Sequence, residues 1–95
     1  MDTYSLEGEL TIFTAAQLKP DLLNFLHSST APELNLNAVT ECDTAGLQLL
    51  ILLKREANLT GKSISFIMHS KAVIEVLELA RLTSQFGDPI VLAHS

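Results

Sequence analysis

The hydrophobic pattern of the chain changes its period repeatedly, and this alternation limits the possible folds more than any other feature. Residues 4–12 alternate apolar and polar side chains as a half-buried strand does, whereas the apolar residues of segment 14–28 recur at helical spacing. The order continues as strand, helix, strand, helix and strand. Strands that are joined by helices pair in parallel. We therefore predict an α/β fold with a small mixed, mainly parallel sheet of about four strands and helices packed on it.

The later elements are predicted from the same patterns. After the break at Ala31 and Pro32, the chain shows a short strand and then a polar loop that leads into a mostly apolar helix. A second strand, a helix that begins near Ser70 and a last strand follow. The predicted bounds are Leu34–Leu36 for the strand, residues 37–46 for the loop, Ala45–Asn58 for the helix, Ile64–Met68 for the next strand and Ile90–Ala93 for the last.

The start of the first helix carries two favourable signals and one conflict. Thr14 and Gln17 have the spacing of a capping box, and Phe13 and Leu18 have that of a hydrophobic staple. Pro20 conflicts with these signals, because proline has no backbone N–H to donate. Either the helix bends in its first turn, or regular helix begins only at Pro20.

Length and composition predict one small domain over residues 1–95. A hydrophobic fraction of 47% and a mean hydropathy of +0.31 are sufficient for a packed core. The longest apolar run, Leu49–Leu53, is far shorter than the roughly 20 residues that cross a bilayer, so we expect no membrane insertion. The single Cys42 excludes an internal disulfide, and with no signal-peptide pattern we expect a cytoplasmic protein.

The charge of the chain argues against nucleic-acid binding. The formal net charge is −5, and residues 1–45 hold seven acidic side chains and one basic side chain. A phosphate backbone would be repelled by such a surface.

No arrangement of residues in the chain predicts an enzyme. His27, His69 and His94 stand apart from one another, without a cysteine or carboxylate at metal-ligand spacing. No nucleophile is paired with a base, and no glycine-rich phosphate loop is present. We therefore expect no catalytic residue, no metal and no cofactor.

The segment from Leu34 to Leu47 carries the strongest motif. A short apolar strand leads through polar residues to Asp43-Thr44-Ala45-Gly46, and a leucine-rich helix follows. This arrangement resembles the STAS domain, the fold of bacterial anti-sigma factor antagonists, in which an apolar strand and a loop precede Asp-Ser/Thr-x-Gly-Leu. Leu6–Leu10, Thr14–Leu18 and Ser70–Leu82 resemble further family segments in the same order, so the resemblance spans most of residues 5–90.

The resemblance implies a signalling switch that regulates transcription in bacteria. In the antagonists, a kinase that is also the anti-sigma factor phosphorylates the hydroxyl residue after the aspartate, here Thr44. The unmodified form binds that partner and the phosphorylated form is released. The resemblance also implies that the N-terminal hairpin strand of many members is missing, because only five residues precede Leu6. We expect the binding face to include Asn37, Glu41, Asp43, Thr44, Ala45, Gly46 and Ser70.

Other partners and roles stay open at this point. Some stand-alone members belong to chemosensory systems, others are accessory subunits of lipid-transporting ABC systems that dock on the ATPase, and others bind small ligands or nucleotides.

The motif residues also have purely structural interpretations. Thr44 can serve only as a helix cap, since Ser, Thr and Asp are ordinary caps. Gly46 can serve core packing or a close contact with the sheet or a partner. Cys42 is expected to be a small buried side chain, because redox sensing needs an exposed thiolate.

Overall fold

The computed structural model describes residues 2–80 of the chain. Its elements are β1 (Asp2–Leu10), α1 (Ala15–Ser28), β2 (Pro32–Cys42), α2 (Thr44–Leu59), β3 (Ser65–Ile67) and α3 (Lys71–Ala80). The strands form one sheet in the order β1-β2-β3, and both pairs are parallel. The predicted α/β fold is thus confirmed with three parallel strands in the described residues. The predicted last strand, Ile90–Ala93, lies outside them.

The helices form one layer on one face of the sheet. Because the strands neighbour one another in chain order and crossovers between parallel strands are right-handed, α1 and α2 lie on the same face. Helix α2 contacts both α1 and α3 and therefore lies in the middle of the layer. The fully buried side chains of the core between the layers include Leu6, Leu10, Leu34, Leu36, Leu50, Leu53, Phe66 and Leu77.

The first strand has the predicted alternation but ends earlier than expected. Leu6 and Leu10 are buried, whereas Glu7 and Glu9 point to solvent. The strand ends at Leu10, and Ile12, which was expected on its buried side, is 67% exposed.

The central strand β2 is much longer than predicted. It continues to Cys42, so the polar loop predicted at residues 37–46 is wrong for residues 37–42. Two register shifts against β1 each insert an extra residue into β2. As a result, both residues of the pairs 37–38 and 40–41 are exposed. These pairs break the period of two by which a strand is recognised in a sequence.

Helix α1 begins at Ala15 and runs through Pro20, so the interpretation in which regular helix starts at the proline is wrong. The predicted capping box does not form, because Thr14 occupies the N-cap position without a side-chain bond to the helix. The predicted staple is also absent, because the Phe13 side chain is 84% exposed and packs on nothing in the core.

The second half of the described chain agrees more closely with its pattern. Helix α2 extends the predicted 45–58 by one residue at each end. Strand β3 is shorter than the predicted 64–68, since Met68 leaves the strand conformation with a φ of 55°. Helix α3 follows Ser70 as expected.

Candidate protein-binding site

The candidate site lies where β1 and β2 end side by side. Leu10 and Cys42, their last residues, are register partners. The turn after β1 and the start of α2 therefore meet at the carboxyl edge of the sheet, where functional groups of parallel sheets collect. Asp43 is the only residue between β2 and α2.

Asp43 joins the two segments through its carboxylate. Its Oδ1 accepts a hydrogen bond from Gly46 N at 3.0 Å and so caps α2. Its Oδ2 accepts a hydrogen bond at 3.0 Å from the backbone N of Ile12, which lies in the turn that follows β1. These backbone donors, that of Ile12 foremost, lower the pKa of Asp43 because they stabilise its charged form.

Gly46 is required by contact with β1. A Cβ atom at this position would lie 2.0 Å from the Leu10 carbonyl oxygen and 2.8 Å from the Leu10 Cγ. Helix α2 can therefore approach the end of β1 this closely only if residue 46 has no side chain. Of the interpretations left open by the sequence, the structure supports the close contact with the sheet.

Thr44 is the first residue of α2, and it is exposed. Asp43, not Thr44, supplies the cap of this helix. Within residues 2–80 the Thr44 hydroxyl is in none of the side-chain hydrogen bonds that hold the site together. The hydroxyl is therefore accessible at a helix N-terminus, where the helix dipole favours negative charge.

Residues 11–14, hereafter the 11–14 turn, connect β1 to α1 and were not recognised as part of a site from the sequence. Each of its four backbone N–H groups donates a hydrogen bond. Thr11 N donates to Thr14 Oγ1 at 3.0 Å and Ile12 N donates to Asp43. Phe13 N donates to Thr11 Oγ1 at 3.2 Å, and Thr14 N donates to Thr11 O at 3.0 Å. The turn presents Ile12 and Phe13, which are 67% and 84% exposed. The sequence did contain a signal for this turn. Two threonines flank two apolar residues, and threonine hydroxyls often form hydrogen bonds with nearby backbone groups in turns.

Acidic side chains flank the 11–14 turn. Glu9 and Glu41 are exposed register partners on β1 and β2, and like charges at such positions repel. Glu9 Oε1 accepts from Thr11 Oγ1 at 3.1 Å, so this carboxylate contacts the turn directly. Together with Asp43, they give the carboxyl edge of β1 and β2 a negative charge.

Cys42 lies next to the site but is not arranged for redox chemistry. It is half-buried and packs against the core. Burial, with a smaller contribution from the Asp43 charge, raises the pKa of the Cys42 thiol to about 11. The thiol is therefore protonated near neutral pH, which disfavours nucleophilic reactivity.

Two of the residues expected in the binding face have other surroundings than the rest. Asn37 is an exposed residue within β2, five positions before its end, and its N donates to Asn35 Oδ1 at 2.8 Å. Ser70 is only 7% exposed, and its Oγ accepts from Val73 N at 3.3 Å as the cap of α3. The structure thus brings together Glu41, Asp43, Thr44, Ala45 and Gly46, and it adds the 11–14 turn.

Within residues 2–80 no group of three or more histidine, cysteine, aspartate or glutamate residues is arranged to hold a metal ion. No helix in the same range has both the length and the apolar character needed to span a bilayer.

A family model described as "Mlab, STAS domain" matches residues 2–92, nearly the whole chain. STAS domains are in general signalling or regulatory modules that mediate protein–protein interactions.

Proposed function

The chain belongs to the STAS domain family, and on that premise we propose that it is a phosphorylation-controlled protein-binding module whose switch is Thr44. The unmodified form binds a partner, and phosphorylation at Thr44 releases it. The partner is an anti-sigma factor with serine/threonine kinase activity or another signalling protein, such as one of a chemosensory system. The module acts in the cytoplasm of a bacterium and is not an enzyme.

The single observation that carries this proposal is that Asp43 makes the structural hydrogen bonds of the motif and Thr44 makes none of them. Asp43 makes the hydrogen bonds that cap α2 and hold the 11–14 turn, while Thr44 is exposed. A kinase can therefore transfer the phosphoryl group of ATP to Thr44 Oγ1, with release of ADP and the hydroxyl proton, without breaking a structural bond. At a helix N-terminus the added anion gains about 0.3–1 kcal/mol from the dipole, so folding is preserved.

Release of the partner follows from the same position. The phosphate adds about −1.5 to −2 charge directly beside Asp43 and near the exposed Ile12 and Phe13. In a protein interface this charge would lose its water next to another carboxylate. Each ~1.4 kcal/mol of that cost lowers affinity tenfold. A modification that is nearly neutral for folding can therefore control association.

The test compares Thr44→Glu and Thr44→Ala with the matched control Thr30→Glu. Thr30 is also exposed but precedes β2, at the opposite edge of the sheet. The partner is identified by co-purification from the native cells and then purified for calorimetry. We expect Thr44→Glu to weaken binding at least tenfold, Thr44→Ala and Thr30→Glu to change it little, and intact mass before and after phosphatase treatment to reveal a phosphate. Equal affinity of all four proteins would contradict the proposal.

A second candidate is an accessory subunit that docks permanently on the ATPase of a lipid-transporting ABC system. The exposed pair Ile12 and Phe13, in the turn that Asp43 holds, favours it, because permanent interfaces are more apolar than transient ones. Thr44 would then contribute to docking without being modified. Stoichiometric co-purification with an ABC ATPase, together with an unmodified intact mass, would support this candidate against the switch.

A further inference from the structure

We infer that the 11–14 turn is the anchor of the binding site: Phe13, with Ile12 beside it, inserts into an apolar pocket of a protein partner whose rim carries basic side chains. This inference rests on the proposed function, since it names the partner chemistry of the same site. It makes the 11–14 turn, rather than the start of α2 alone, the main source of affinity.

The first argument is that the turn is rigid although its apolar side chains are exposed. All four of its backbone N–H groups donate hydrogen bonds, three of them within the turn and one to Asp43. Phe13 is nevertheless 84% exposed and makes no contribution to the core. An aromatic side chain on a hydrogen-bonded backbone needs no ordering of the main chain on binding, which favours an interface hot spot.

The second argument is charge, which selects the occupant of this surface. Two carboxylates contact the turn itself, because Glu9 accepts from Thr11 and Asp43 accepts from Ile12. Glu41 pairs in register with Glu9, and Lys19 is the only lysine or arginine before Lys54. A second copy that paired through this same surface would place acid against acid, and an anionic membrane would be repelled. A protein pocket with a basic rim is complementary to both the apolar and the acidic parts.

The chain has no tryptophan, so a single introduced tryptophan can report on the test by its fluorescence. Phe13→Trp places a single indole in the proposed contact, and Leu59→Trp places one at the far end of α2, where Leu59 is 75% exposed. Each full-length variant is titrated with the purified partner that co-purifies with the unaltered chain, with itself at rising concentration, and with phosphatidylcholine vesicles with and without phosphatidylglycerol. We expect a blue shift of Phe13→Trp emission with the partner alone and no shift of Leu59→Trp in any titration.

Affinity measurements with the same partner complete the test. We expect Phe13→Ser to weaken binding at least tenfold and Leu59→Ser to leave it within twofold. Glu41→Gln should weaken binding a few-fold and reduce its dependence on NaCl concentration, because one rim contact is lost.

Several results would overturn the inference. They are a shift of Phe13→Trp emission on self-association or on vesicles, a partner that binds Phe13→Ser as well as the unaltered chain, or the absence of any co-purifying protein whose capture depends on Phe13.

The outcomes also separate the two proposals. If Phe13→Ser weakens binding and Thr44→Glu does not, the anchor stands and the switch fails; the reverse result retains the switch and removes the anchor.

Discussion

At the scale of single residues, the motif Asp43-Thr44-Ala45-Gly46 combines positions with different physical duties. Asp43 accepts hydrogen bonds from two backbone segments. Gly46 has no side chain, which allows α2 to contact Leu10. Thr44 lies between them and is exposed. The motif is thus a rigid frame around one accessible hydroxyl.

Gly46→Ala is expected to destabilise the fold strongly. The new methyl group would overlap the Leu10 backbone carbonyl, which cannot move without displacing β1. We expect a loss of about 3 kcal/mol or more in the free energy of unfolding, which exceeds the ~1 kcal/mol that alanine gains over glycine within a helix. Urea denaturation measures it, with exposed Gln48→Ala on the same helix as a control that changes stability little. Equal stability of the two variants would show that α2 does not approach β1 this closely.

Asp43 is expected to make stability depend on pH in the acid range. Its pKa is lower in the folded state than in the unfolded chain, so the unfolded chain takes up the proton more readily. The stabilisation is therefore complete above the ordinary aspartate pKa, near 3.8, and is lost as the pH falls through the lower folded value. Asp43→Asn, which keeps a capping oxygen, should flatten the stability profile below about pH 4. Chemical denaturation at a series of pH values tests this, and an unchanged slope would contradict it.

At the scale of elements, the connections depart from the sequence pattern more than the helices do. The period of two in β2 is interrupted by two inserted residues, so its second half was interpreted as a loop. The 11–14 turn was interpreted partly as strand and partly as a helix staple, because Ile12 and Phe13 are apolar. In both places the determining interactions join residues that are far apart in the chain, such as Ile12 and Asp43.

Thr14→Ala is expected to loosen the 11–14 turn without unfolding α1. Thr14 Oγ1 accepts from Thr11 N at 3.0 Å and donates to Glu9 O at 2.9 Å, whereas it makes no cap bond to the helix. We expect a cost of about 1 kcal/mol and faster hydrogen exchange at the amide of Thr11. Thr14→Ser, which keeps the hydroxyl, is the matched control. Equal exchange rates in the alanine and serine variants would show that the hydroxyl does not hold the turn.

At the scale of the whole molecule, a single apolar core between the sheet and one helical layer carries the stability, and the site lies at its edge. The core is mostly leucine, and helix α2 contributes to it from the middle of the layer. The same helix begins at the site with Thr44. The binding surface is therefore attached to the helix that packs against both other helices and the sheet, while its own side chains contribute little to the core.

Two leucines of α2 test this separation. Leu50 is fully buried, so Leu50→Ala is expected to cost about 2–5 kcal/mol. Leu59 is 75% exposed, so Leu59→Ala is expected to change the free energy of unfolding by less than about 0.5 kcal/mol. Thermal and urea unfolding of both variants measure the difference. A small cost for Leu50→Ala would mean that α2 is not packed as described.

The α/β order, the helices and the motif around Thr44 could be predicted from the amino-acid sequence, because hydrophobic periods and cap residues are local properties of a chain. The sequence also indicated that the glycine at position 46 is not explained by helix propensity, but it did not indicate which contact requires it. The reach of β2 to Cys42, the bond by which Asp43 holds the 11–14 turn, and the exposure of Phe13 in that turn became visible only in the folded chain. These features depend on which backbone groups meet after the strands pair, and no local pattern carries that information.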